Sequence, residues 1–87
     1  MQVHLSDVQR AFDELVAGSR PREEIASWAD SAIKADDDEQ LSLDPKEARD
    51  LIWDAITYLT GVDLKTSPTT YLHSAADFIA YRKTLGI

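Results

Sequence analysis

The run Asp44-Pro45-Lys46-Glu47-Ala48-Arg49-Asp50-Leu51-Ile52-Trp53-Asp54-Ala55-Ile56-Thr57-Tyr58-Leu59-Thr60-Gly61 decides the fold class. An aspartate that can cap, a proline at the first helical position and an acid at the third form a helix start. Behind it Ala48, Leu51, Ile52, Ala55, Ile56 and Leu59 recur at helical spacing, and Trp53 and Tyr58 flank that stripe. More than half of the circumference is therefore apolar, which makes this the central helix of a bundle. Gly61 is expected to end it in the left-handed conformation, with Val62 or Leu64 folding back onto the last turn.

Working outward toward the N-terminus, Ser6 and Gln9 form a capping box ahead of Val8, Ala11, Phe12, Leu15 and Val16, so a first helix is expected over about residues 7–17, closed by Gly18. The link Ser19-Arg20-Pro21 opens a second helix with Glu23 and Glu24 in its first turn and a stripe of Ile25, Trp28, Ala29, Ala32 and Ile33. Asp36-Asp37-Asp38-Glu39 would meet the negative end of that helix, so the chain is expected to leave it there and form a loop over residues 36–43. Toward the C-terminus, Tyr71, Leu72, Ala75, Phe78, Ile79 and Leu85 keep helical spacing after Thr66-Ser67-Pro68, and Ser74 with Asp77 makes a second capping box inside the run. One helix or two both fit. Without sustained alternation or a two-residue hairpin signal, the expected fold is all-α: a compact antiparallel bundle of four helices, the last possibly split, forming one domain over residues 1–87.

Composition narrows the function. The absence of cysteine excludes disulfides, thiolate metal sites and a thiol nucleophile, and fits a reducing, cytoplasmic setting. Polar residues throughout Met1–Arg10 leave no room for a signal-peptide core, and no run approaches a membrane span. The net charge of −7 is gathered in one place: residues 23–54 carry eleven acids against three bases, net −8, while the remainder sums to +1. A field of that sign repels phosphate backbones and anionic lipid, so no nucleic-acid or membrane contact is expected, and a basic protein partner is favoured.

Three sets of side chains invite a functional reading. Asp36, Asp38, Gln40, Ser42, Asp44 and Glu47 fall at the spacings 1, 3, 5, 7, 9 and 12 of a calcium-binding loop, but Leu41 stands where that loop needs glycine for its sharp turn. A solvated loop before an ordinary cap is the plainer account. His73 and Asp77, at i and i+4, could share a face with Tyr71 near a pocket for a small ligand or a reaction, although no nucleophile, base and orienting group stand together. Trp28 lies within its stripe and reads as core, whereas Trp53 lies about 140° around its helix from Ala48, at the stripe's edge, where it could pack or anchor a second subunit.

Leu15-Val16-Ala17-Gly18, Arg22-Glu23-Glu24, Trp28-Ala29, Gly61-Val62-Asp63-Leu64, Pro68, Tyr71-Leu72-His73 and Asp77-Phe78 resemble a group of small acidic bacterial proteins of unknown function. In size, charge and helix plan the chain is also similar to bacteriocin-type immunity proteins, which neutralise a cationic toxin domain. The paired tyrosines of the nuclease-immunity group are missing, since Tyr71 precedes Leu72 and His73, so no binding residues carry over. These readings converge on a non-enzymatic protein-binding module without cofactor, of immunity or antitoxin type, whose surface is Asp36, Asp37, Asp38, Glu39, Glu47, Asp50, Trp53 and Asp54. The rivals are a small enzyme or ligand-binding protein around His73, Asp77 and Tyr71, and a structural homodimer.

Overall fold

A computed structural model describes residues 1–87. Four helices are present, α1 (Leu5–Ala17), α2 (Arg22–Asp37), α3 (Arg49–Leu59) and α4 (Ala75–Leu85), together with four short strands, β1 (Gln2–His4), β2 (Ser42–Asp44), β3 (Lys65–Ser67) and β4 (Thr70–Tyr71). The expected all-α bundle is corrected by two small sheets, β1–β2 parallel and β3–β4 antiparallel. Both arise from segments too short to show alternation. β1 has one side chain that commits it, Val3, and burying that residue completely holds the chain start against β2. β3 and β4 are rich in threonine, whose branched side chain favours extended backbone, and Pro68-Thr69 turns between them without a glycine.

The helix boundaries follow local chemistry. Helix α1 begins two residues earlier than expected because Asp7, not Gln9, closes the cap: its Oδ2 accepts from the His4 backbone N–H at 2.8 Å. Gly18 ends it at φ 68°, as its position predicts. Helix α2 runs to Asp37, taking in the first two residues of the expected acidic loop; the dipole penalty of a few tenths of a kcal/mol is small beside the packing of the helix behind it. The Asp-Pro start fails at its first residue. Asp44 is drawn into the β1–β2 ladder opposite His4, Lys46–Ala48 makes a 3-10 turn, and regular helix begins only at Arg49. Gly61 is not left-handed, but Leu64 does fold back, 3.4 Å from where a Cβ on Gly61 would stand. In the last segment Tyr71 is strand, and Ser74 with Asp77 caps a single helix α4.

Packing makes one core. Phe12, Phe78, Ile25, Ile52, Ile56, Leu59, Val3, Val8 and Val62 are its largest fully buried side chains, and alanines at 26, 29, 32 and 55 let α2 and α3 approach closely. Trp28, expected in the core, is only half-buried at its edge, and Trp53 is half-buried on α3. Beside the core the aromatics stack: Tyr58 on Tyr81 at 3.7 Å between centroids, with Phe12 6.0 Å from Tyr58 and 6.2 Å from Tyr81.

Phe12 thus joins α1 to both of the other aromatic helices. Phe12→Ala should lose about 3–5 kcal/mol, a large share of the roughly 4–13 kcal/mol expected for a chain this size. Urea denaturation measures it, and a loss below about 1 kcal/mol would contradict this packing.

Candidate nucleic-acid interface

The helices give the molecule two ends. At one, the C-terminus of α2, the β1–β2 pair, the 3-10 turn and the start of α3 come together. At the other, the link between α1 and α2, the β3–β4 hairpin and the start of α4 meet. The rise of an α-helix places Arg22 about 22 Å from Asp37 along α2.

The first end holds the sequence-predicted acidic surface. Asp36, Asp38, Glu39, Glu47 and Asp50 are exposed there, with Asp37 ending α2, and Glu39 turns the chain at φ 58°. Asp54 is exposed and Trp53 half-buried further along α3, so the predicted set runs from the C-terminal end of α2 through the 3-10 turn to the first half of α3. The calcium spacing does not become a cage: Asp44 pairs with His4 Nδ1 at 3.1 Å, and no three acidic or histidine side chains converge.

The second end is organised by Arg22. Its guanidinium lies 4.1 Å from the centroid of Tyr71 and 4.8 Å from that of Phe78, and Nη1 donates to the backbone oxygen of His73. Lys65 Nζ also stands 5.2 Å from the centroid of the Tyr71 ring, on the exposed hairpin with Thr66, Ser67 and Thr70. Two of the carboxylates at this end, Glu23 and Asp77, have hydrogen-bond partners, while Glu24 is exposed in the first turn of α2 and Asp63 lies near Tyr71. Tyr71 Oη donates to Glu23 Oε1 at 2.6 Å, and Asp77 accepts from the Ser74 N–H at 2.8 Å. His73 Nδ1 is 3.9 Å from Asp77, and its ring packs 5.7 Å from that of Tyr58. His73, Asp77 and Tyr71 are therefore neighbours as the sequence suggests, but they enclose no pocket, and each serves packing or capping. The one cavity of the molecule lies elsewhere, between α1 and α2, lined by Asp7, Arg10, Ala11, Glu14, Arg20 and Trp28. Arg22, Lys65 and this cavity were missed. The stripe at 7, 10, 11 and 14, at helical spacing beside the apolar one, was the available signal for the cavity.

The Tyr71–Glu23 bond shifts both groups. Accepting the phenol holds the Glu23 carboxyl below its ordinary 4.5, and donating to that carboxylate, with burial second, pushes the Tyr71 phenol above its ordinary 10.0. A lowered Glu23 contributes above the usual carboxylate range and loses that contribution as pH falls through its folded value. A raised Tyr71 contributes below 10.0 and loses it as pH rises through its folded value. In Tyr71→Phe, Glu23 should titrate closer to 4.5 by carboxyl-carbon NMR; an unmoved titration would show that the bond does not hold the hairpin to α2.

Comparison with known proteins now adds to this geometry. Residues 3–84 match the model of a family described as YxzC DNA-binding protein. A Bacillus subtilis (strain 168) protein described as uncharacterized protein YxzC is 34% identical over 76 residues, which are 87% of this chain. The chain spans 57% of the length of that relative. No solved structure matches it significantly. The family match overturns the looser, immunity-type resemblance and replaces the general grouping with small acidic bacterial proteins by one family, whose Bacillus relative is described only as uncharacterized. It also corrects the expectation of a basic protein partner without nucleic acid, and the rival readings as a ligand-binding enzyme or structural homodimer gain nothing from it. The error was to sum charge over a body 37 Å long when salt screens charges beyond about 8–10 Å, so that each end presents its own field. Matched along almost its entire length, the chain belongs to the YxzC DNA-binding protein family.

Proposed function

We propose that this protein binds DNA and performs no catalysis, and that its contact surface is the end carrying the β3–β4 hairpin, Arg22 and Lys65. The family match over residues 3–84 carries this reading, because that family is described by binding and not by a reaction. The geometry supports the choice of end. Lys65 and the hydroxyls of Thr66, Ser67 and Thr70 are exposed on a two-stranded ribbon, which has groups suited to phosphate oxygens and a shape that a major groove admits. The densest acids lie at the far end of α2, more than two screening lengths away at physiological salt. No helix is long and apolar enough to cross a membrane.

Fluorescence anisotropy with labelled duplex and single-stranded DNA at low salt tests this. Binding should weaken steeply with salt, and Lys65→Glu should weaken it across sequences and reduce the salt slope by about one, the signature of a lost phosphate contact. Lys46→Glu, at the acidic end, should leave affinity nearly unchanged. Absence of binding at low salt would overturn the DNA reading, and equal losses from the two lysine variants would overturn the choice of end.

A further inference from the structure

The cavity between α1 and α2 has a composition that the packing of the fold does not require. Its volume is about 170 Å³, below the roughly 300 Å³ at which pockets for drug-sized molecules begin, so it suits a single ring system. One wall is the half-buried indole of Trp28. The others carry two cations, Arg10 and Arg20, and two anions, Asp7 and Glu14.

These four charges are not equally available. Asp7 gives Oδ2 to the α1 cap, and its Oδ1 stands 3.9 Å from Arg10, so both act in holding the start of the helix. Arg20 and Glu14 are half-buried, yet neither takes part in any of the molecule's four ion pairs, nor in any side-chain hydrogen bond of the kind that engages Arg22 and Arg82. A half-buried guanidinium and a half-buried carboxylate in one cavity, each free, ask for a ligand with acceptors on one edge and donors on another. An aromatic wall asks for that ligand to be flat.

We propose that this cavity receives one unpaired guanine base of a DNA strand, stacked on Trp28, with Arg20 donating to its O6 and N7 acceptors and Glu14 accepting from its N1–H and N2–H donors. The identity of the strand rests on the DNA-binding reading; the chemistry of the pocket stands on its own residues. Guanine is favoured over the other bases because only it sets two adjacent donors beside an acceptor edge. Arginine on the acceptor edge of guanine is the commonest specific base contact, and carboxylates accept from exocyclic amines. Bases read in this way are unstacked and laid against aromatic side chains, which costs least in single-stranded DNA.

The test uses Trp53→Phe protein, in which Trp28 is the sole indole reporter, titrated with a guanine-containing single-stranded oligonucleotide, its adenine-, cytosine- and thymine-substituted counterparts, and free deoxyguanosine monophosphate. Labelled-strand anisotropy is followed in parallel. The guanine strand should quench Trp28 and bind at least about fivefold tighter than its counterparts. Glu14→Gln should weaken the guanine strand about tenfold or more, with the other strands nearly unaffected and the melting temperature unchanged. Strand binding by anisotropy without a change in Trp28, or without preference for guanine, would overturn the pocket while leaving DNA binding intact. Quenching by the free nucleotide but not by the strand would overturn DNA as the source of the base. Silence in both fluorescence and anisotropy would overturn pocket and DNA reading together.

Discussion

Arg22 stands where α2, the hairpin and α4 meet, and its guanidinium is shared among all three. It lies over Tyr71 of β4 and Phe78 of α4 and donates to the His73 backbone between them. A planar cation can satisfy two ring faces and a carbonyl at once, which the spherical head of a lysine cannot. A ribbon of two strands is only marginally stable alone, so the hairpin depends on this docking and on the Tyr71–Glu23 bond beside it. The arrangement also explains why an exposed, polar segment holds a defined shape on one end of the molecule.

Much of the architecture was written in residue spacing. The main stripes of α1, α2 and α3, Gly18 as a left-handed stop and the Ser74–Asp77 box appear where periodicity and capping chemistry put them, whereas of the stripe expected in the last segment α4 buries only Phe78 and leaves Ile79 exposed. These are local signals, decided within one or two turns. What failed was decided at a distance. Asp44 has every local property of a helix cap, yet pairing with His4, forty residues away in sequence, takes it into a strand. The β3–β4 turn at Pro68-Thr69 lacks the glycine or asparagine that marks most two-residue turns, and its flanks are too short to alternate.

The site was less legible than the fold for a related reason. Counting acids along the chain found the −8 segment but could not show that its acids from Asp36 to Asp50 crowd one end of the body while Glu23 and Glu24 stand at the other. A sum over the chain discards position, and position is what screening acts upon. Arg20, Arg22 and Lys65 contribute little to such a sum, and only folding reveals that Arg22 and Lys65 converge on Tyr71 while Arg20 faces Trp28 and Glu14. His73 and Asp77 drew attention through their residue types, and the structure gives them capping and packing roles instead.

The parallel pairing of β1 with β2 bears on how the chain assembles. The two strands are joined through the whole of α1 and α2, so their hydrogen bonds become available only after that long connection has been ordered. Helical turns form from neighbours and need no such closure, whereas a contact across some forty residues must first offset the entropy of bringing its ends together. Helix α1 packs mainly on α4 and α2 on α3, so the burial of Val3 and its pairing with β2 tie these two helix pairs together at the acidic end through a contact of high sequence separation.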